Sequence, residues 1–447
     1  VDEDVVALIL NGEHIEIAKE YDISIAFLQV PNAGSITIGS GSTFVDLARR
    51  YPKGTTCAVQ INGVTQFMGR TDGFRRTRGD ATEMALVFRD ALALLVKDKI
   101  QHDRTFNNIT FDELAKEAFK GAGYEGISLV YDAAAHRAAV AGTPILETAQ
   151  VTKKILIDLN QIRGLDTSGV PKGADLNYQP LDIDPTIEIT ETVTKCKGFK
   201  AEKPIQWKAG TPHYDALNKE LARAGIFLRA GVDPEGQDPN VFLLSEPNAT
   251  QAPAFGLARI LGDAVPDNHV SVLPPAIDDI ATGRHSHYIV RGRTGGGADG
   301  RQQIEAVFVD EEMAAIETSH EVIIDESAKT LSQAQFIARR ACATARRMCR
   351  CFTYTVPNRH TLPLLANPKR RAIPNPDMVV ALRDDEHGME GLFWVERVRF
   401  RRSMSAGTNT DITLMCPEDL VFGDGQYWLA GKKGQKVLGK HGQKKAA

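Results

Sequence analysis

The sequence predicts a mainly β chain with an α+β middle, in which two small antiparallel β-barrel domains are joined and interrupted by α+β insertions. Three observations carry that expectation. Alternating apolar runs flank Asn-Gly pairs in ALILNGEHIEI and CAVQINGVTQFMG, and Asn-Gly suits the left-handed backbone of a two-residue hairpin. Two helix-then-strand units stand in the middle, FDELAKEAFKGAG…ISLVYD and YDALNKELARAG…IFLRAG. Finally, several features near the N-terminus return 326 residues later.

The elements follow in order. Residues 1–98 read as the first β-domain. The two hairpins are joined by the strands SIAFLQV and EMALVFRD, and only TFVDLARRY looks helical. Many short strands on tight turns point to a small barrel or sandwich. Residues 99–253 form the α+β middle. Thr110 and Glu113 make a capping box for the first helix, and Gly123 closes it in the left-handed conformation. Thr211 caps the second helix, Pro212 suits its first position, and Gly225 ends it. The Pro/Gly/Asp-containing segment near 134–195 is an elaborated insertion. Residues 254–294 and 350–424 form the second β-domain, interrupted at 295–349 by a Gly-rich loop and an Ala/Arg helix from Ser332 to about Cys349. Residues 425–447 are basic and low in complexity, as expected of a flexible tail.

The repeat rests on several anchors. Val30-Pro31-Asn32 and Val356-Pro357-Asn358, Phe67 and Phe393, and Phe74-Arg75-Arg76 and Phe400-Arg401-Arg402 all share the 326-residue spacing. Thr82, Met84 and Leu86 then match Thr410, Ile412 and Leu414, with two extra residues in the intervening turn. A shared offset among weak anchors reads as an internal duplication. In LFWVERVRFRR, strict alternation puts Leu392, Trp394, Val398 and Phe400 on one face and Arg397, Arg399 and Arg401 on the other. The arginine face is either a solvated sheet surface or a subunit interface. Two copies of one domain in a chain have a particular use: three such chains present six equivalent domains, so a three-fold object can mate with a six-fold one.

Composition narrows the function classes. A single core rarely grows past about 250–300 residues, so 447 residues imply several domains. A net charge of −4 provides no general attraction to nucleic acid or membrane. No apolar run reaches the ~20 residues of a membrane helix. The acidic N-terminus lacks the basic start of a signal peptide, so synthesis in a cytoplasm is expected. The six cysteines contain no Cys-x-x-Cys, and Cys349-Arg-Cys351 is poorly spaced for zinc. Free, mostly buried thiols follow.

Other motifs fall short of chemistry. TGGGADGR lacks the Gly-Lys-Ser/Thr of a phosphate loop, and GSGSTF is not a nucleophile elbow. His285 and His287 share a strand face without a third ligand. Arg78-Gly79-Asp80 reads as a turn. Asp384-Asp385 and Glu311-Glu312 are not arranged as a hydrolase pair. No catalytic residue, metal or cofactor is expected.

Taken together, INGVTQFMGRTDGFRRT, FDELAKEAFKGAGYEGISL, PIQWKAGTPHYDALNKELARAGIFLRAG, HSHYIVRGRT, the Ala/Arg helix before FTYTV, and WVERVRFRRS…TDITLMCPED resemble the late control protein D family, the Mu-type baseplate hubs of contractile phage tails. The resemblance spans residues 1 to about 424 and lies in the order of elements. It implies a homotrimer in which two tube-like barrels per subunit form a pseudo-six-fold ring. That ring would join a six-fold tail tube to a three-fold spike, beside other baseplate proteins. DNA would pass its central channel without sequence-specific binding. It further implies a virion baseplate location after assembly in the host cytoplasm. The 134–195 segment and the basic tail depart from the family pattern. No β-helical spike repeat follows, unlike the VgrG-type chains that fuse hub and spike, so the spike is expected to be a separate protein.

The candidate interaction residues are Arg75, Arg76, Arg397, Arg399, Arg401, Arg402, Lys432 and Lys433. The lysines belong either to a solvated terminus or to a surface that docks an acidic partner or lines the DNA route, where phosphate contacts would be strongly salt-dependent. The alternatives are a tail-associated cell-wall hydrolase and a receptor- or glycan-binding tail-tip protein. A buried, pKa-shifted carboxylate in a cleft would favour the first, and exposed aromatic platforms the second. Only Trp207, Trp394 and Trp428 are available for such platforms.

Overall fold

The computed structural model describes residues 4–421, apart from breaks of one to three residues and the stretches 39–47, 77–83, 132–145, 157–185, 197–204, 232–239 and 294–302. The N-terminal part contributes seven strands: β1 (Val6–Leu10), β2 (Glu13–Glu16), β3 (Glu20–Ala26), β4 (Ala33–Ile38), β5 (Thr56–Ile61), β6 (Val64–Arg76) and β7 (Met84–Arg89). Both Asn-Gly hairpins form as expected. Asn11 and Gly12 have φ of 49° and 82°, and Asn62 and Gly63 have 50° and 78°, the two left-handed residues that a tight hairpin needs. Of TFVDLARRY, residues 48–50 are helical, and the segment before them lies outside the described residues.

The middle begins with α1 (Leu92–Lys97). Then come β8 (Arg104–Phe106), α2 (Phe111–Gly121) and β9 (Ser128–Tyr131). A ribbon of β10 (Leu146–Leu156) and β11 (Thr186–Cys196) stands in the elaborated segment. A second unit follows, with β12 (Ile205–Trp207), α3 (His213–Arg223), β13 (Phe227–Ala230) and β14 (Val241–Ser245). The two units pack on each other: β8 pairs antiparallel with β12, and β9 and β13 flank β14. Their helices share one apolar core with Leu114, Phe119, Leu217, Leu221 and Phe242. Both helices end at a glycine with φ near 80°, Gly123 at 82° and Gly225 at 76°. Beyond these, Tyr124 and Ile226 donate back to the carbonyls of Phe119 and Leu221. Thr110 lies outside the described residues, so the capping box expected there has no structural account.

The C-terminal part begins with β15 (Phe255–Arg259), β16 (His269–Ser271) and β17 (Ala276–Asp279). An inserted unit follows: β18 (His287–Arg293), β19 (Gln303–Val309), α4 (Glu311–Ala314), β20 (His320–Ile324) and α5 (Leu331–Cys349). Helix α5 starts one residue before the expected Ser332, at a capping box between Thr330 and Gln333. It covers one face of the sheet β19-β18-β20 through Tyr288, Val290, Ile337 and Cys342. The chain then returns in β21 (Arg350–Pro357), β22 (Leu362–Leu364), β23 (Asn367–Ala372), β24 (Val379–Asp384), β25 (Met389–Ser403) and β26 (Gly407–Met415).

Strand order reveals the relation between the two ends. The N-terminal strands run in the order β2-β1-β5-β6-β7-β4-β3, and the C-terminal ones in the order β16-β15-β24-β25-β26-β21-β17. Counted along the chain, each strand of one set answers the strand of the same rank in the other. The correspondence is topological and differs in direction at one flank. β1 is antiparallel to both its neighbours, whereas β15 is parallel to both β16 and β24. The expectation of wholly antiparallel sheets is corrected here: the 14-stranded sheet that unites both sets is mixed. One apolar core lines both sets, with Leu8, Ile23, Ile36 and Phe88 from the first and Leu257, Tyr354, Phe400 and Leu414 from the second.

The topology also sorts the sequence anchors. Phe67 and Phe393, and the two Phe-Arg-Arg triplets, lie on the equivalent strands β6 and β25. The Val-Pro-Asn triplets do not correspond, because one precedes β4 and the other ends β21. Nor does the Thr-x-Met-x-Leu alignment hold. Phe74 faces Leu86, but Phe400 faces Thr410, so the ladder registers differ from that alignment by four residues.

Candidate assembly interface

The long strand β25 unites the two arrays. Its first part, Met389–Trp394, pairs with β24. Its second part, Arg397–Arg402, pairs along the same edge with β3 of the other array. The opposite edge is taken by β26 from Trp394 to Ser403. One strand is thus shared, and an array-to-array joint is built of backbone ladder.

A one-residue bulge at Glu396 makes this arrangement possible. The register against β26 shifts between Val395 and Arg397, and an extra residue reverses the phase of the side chains. Phe393 and Val395 therefore share the main core with Val398 and Phe400. Trp394 turns to the other face and packs with Phe27, Val379 and Met415. Its indole N–H donates to Asp377 Oδ1 at 2.9 Å. The face expected from strict alternation is corrected accordingly: Leu392 is exposed and Trp394 faces away from Phe400. Glu396 itself is buried, and desolvation raises its pKa against the opposing pull of Arg397. Its carbonyl accepts the Phe27 N–H at 2.8 Å, which extends the joint by one rung.

Side chains lock the joint on both faces. Phe400 stands opposite Ile23, and both are wholly buried. Arg399 grips Asp22 with two guanidinium contacts, one of 2.7 Å from Nε. Arg401 turns to Asp411 on β26 at 2.8 Å, and Arg397 lies 3.5 Å from Glu396. The Tyr21 hydroxyl meets Nε2 of buried His360 at 2.6 Å, and His360 Nδ1 lies 2.8 Å from Thr410 Oγ1. Because Thr410 Oγ1 donates to the Arg359 carbonyl, it accepts from Nδ1–H, leaving Nε2 to accept from Tyr21. His360 is therefore neutral, and burial lowers its pKa to about 4. Asp4 adds a second tie, accepting from the His360 and Thr361 backbones and the Thr361 hydroxyl. Burial pushes its pKa up, but these bonds and one from Asn62 outweigh it and hold the carboxyl below its usual value.

The expected interaction residues separate into three groups. Arg397, Arg399, Arg401 and Arg402 lie on β25 along the joint, so much of the arginine face is spent inside the chain. Arg75 is exposed near the end of β6, and Arg76 belongs to that strand. Lys432 and Lys433 lie outside the described residues. The sequence reading missed Asp22, Tyr21 and His360, whose partners are hundreds of residues distant.

Among the described residues, β17 pairs with β21 alone. β6 pairs with β5 as far as Arg70, and two further backbone bonds join Thr71 to Thr55 and Gly54. Beyond that, among the described residues, the edge of β6 opposite β7 meets no strand.

The buried carboxylate with the largest upward shift is Asp90, pushed by burial to about 7. It is 2% exposed, and its oxygens accept the N–H groups of Asn32 at 2.8 Å and Leu92 at 3.1 Å. Asp90 thus ties the β3–β4 link to the start of α1. Among the described residues no group of three or more His, Cys, Asp or Glu is placed to hold a metal, and no helix is long and apolar enough to cross a membrane.

Comparison with family models and with curated proteins finds no match. Solved structures do match. A tail protein from Neisseria meningitidis MC58 superposes with a TM-score of 0.62 at 17% identity, covering 96% of this chain and 98% of that one. The 43 kDa tail protein of prophage MuSo2 from Shewanella oneidensis gives 0.60 at 15% identity, covering 94% and 100%. The chain has the fold of these phage tail proteins over nearly its whole length.

Proposed function

We propose that this chain, which shares its fold with phage tail proteins, is a structural baseplate hub of a contractile tail or a related injection device. Three copies form a ring in which the two seven-strand arrays of each chain act as tube-like barrel domains, six in all. The ring adapts a six-fold tail tube to a three-fold spike and leaves a central passage for DNA. The observation that carries this reading is the identical neighbour order of the two arrays, joined edge to edge through β3 and β25. A duplicated unit in one chain converts three-fold into pseudo-six-fold symmetry, and a heterologous contact closes only when the copy number fits the rotation. The work is geometric: symmetry matching, a passage, and load transfer through a continuous sheet. No catalytic step is assigned.

Electron microscopy of the purified chain tests the reading. Class averages should show a six-lobed ring with an opening, and mixing with tail tubes should place that ring at a tube end. A solid particle without an opening, or release of fragments from purified peptidoglycan, would count against it.

A further inference from the structure

We infer that the polar face of the sheet from β17 to β6 is the wall of the ring's passage, and that its carboxylates hold the wall's arginines so that duplex DNA slides past without being gripped. The inference rests on the ring reading above and names the surface of its passage.

Eight strands adjoin without a break across the joint, in the order β17-β21-β26-β25-β3-β4-β7-β6. Residues directly opposite each other on neighbouring strands share a face, so each face can be traced row by row. One row runs Thr355, Asp411, Arg399, Ser24, Ala33 and Arg89. The next on the same face runs Pro357, Asn409, Arg401, Asp22, Ser35 and Val87. Between these two rows, on the opposite face, Phe400 and Ile23 belong to the main core. Ala276, opposite Thr353, carries the polar face out to β17, and Arg75, opposite Ala85, carries it to β6.

This face suits a wall better than a subunit contact. In the two rows only Pro357 and Val87 are apolar and larger than alanine. The core of a protein interface is apolar and poor in charge, whereas the middle of this face holds serine, alanine, aspartate and arginine. Ser24, Ala33, Ser35 and Val87 are half-buried and Arg89 and Arg399 are exposed, so water reaches the face on both arrays. Neighbouring strands stand about 4.8 Å apart, so eight make a wall about 38 Å wide. Three such walls side by side enclose about 115 Å, or about 37 Å from backbone to backbone. The small side chains of Ser24, Ala33 and Ser35 leave most of that width open to a duplex.

The charges are arranged to let a polyanion pass. Arg399 Nε lies 2.7 Å from Asp22 and Arg401 Nε 2.8 Å from Asp411. Arg397 lies 3.5 Å from Glu396, and Arg89 meets Asp72. Nucleic acid is held by cations that neutralise phosphates and release their counterions. Arginines already paired with carboxylates neutralise few phosphates, so this wall offers polar contacts without a strong positive field. The exposed Arg399–Asp22 pair adds little to stability; keeping the guanidinium off a phosphate gives it a use.

The charge of the wall and the topology of the DNA test this together. Asp22→Asn releases Arg399, and Ser35→Lys adds a cation on the residue directly opposite. The full chain carrying both gains two positive charges, six per trimer. That trimer should hold a short linear duplex at about 50 mM salt and lose about 10³-fold in affinity by about 200 mM, as about six phosphate contacts require. It should not hold a closed circle of the same sequence, which cannot thread a ring. The wild-type trimer should bind linear duplex at least about tenfold more weakly. Ser35→Lys alone should fall between them. A trimer by native mass whose variants gain no affinity, or hold circle and linear duplex alike, overturns the wall and leaves the ring reading standing. A wild-type trimer that holds linear duplex as tightly as the double variant overturns the part given to the carboxylates. A monomer overturns both the ring and its wall.

Discussion

The two seven-strand arrays share one order of strands yet meet solvent differently, and the difference shows what an array requires. In the second array, Phe400 lies under β3 and is fully buried, and β25 is paired along both edges. In the first, Phe74 occupies the same place on β6, opposite Leu86 of β7, and is half-buried. On the flanking strands, Tyr21 and Ile23 of β3 are buried, whereas Ile277 of β17 is 39% exposed. The arrays also differ in what separates their first edge strand from the next. A short link joins β3 to β4, but the whole unit from β18 to α5 stands between β17 and β21. One array of each kind gives a chain with two unlike ends.

The largest expected effect is on the covered side. Phe400→Ala should cost about 3–5 kcal/mol in a denaturant titration, the range for emptying a buried aromatic site. Phe74→Ala should cost the isolated chain distinctly less. Equal losses for both variants in the isolated chain would remove the asymmetry.

The next effect is set by pH. His360 is neutral in the joint, with its pKa lowered from 6.5 to about 4. The unfolded chain binds the proton first, so this histidine's contribution is fully present above pH 6.5 and is lost as pH falls toward 4. Thermal melts of the wild type and His360→Gln across that window should show a steeper decline for the wild type. Parallel pH profiles would contradict the assignment.

The smallest effect belongs to the most conspicuous contact. Arg399 and Asp22 are 45% and 41% exposed, and such pairs contribute about 0.2–1 kcal/mol. Arg399→Ala should therefore shift stability slightly, and less at high salt, although its ion pair spans the joint.

The sequence made local features legible and hid those that depend on distant strands. Asn11-Gly12 and Asn62-Gly63 marked their hairpins because a left-handed backbone is a local demand. Gly123 and Gly225 marked helix ends for the same reason. The duplication was visible through Phe67/Phe393 and the Phe-Arg-Arg triplets, which lie on equivalent strands. Val-Pro-Asn entered by coincidence of spacing, and the Thr-x-Met-x-Leu match was out of ladder register. The face of β25 was misread because Glu396 occupies a bulge, and alternation carries no sign of an inserted residue. The Asp22–Arg399 and Tyr21–His360 contacts join chain segments that only the fold brings together.

The native mass of the purified full chain in near-physiological salt tests the account most directly. Three times the 48.8 kDa chain mass, about 146 kDa, is the expected single species. A stable dimer would contradict it, because two chains supply four arrays and cannot make a six-fold collar.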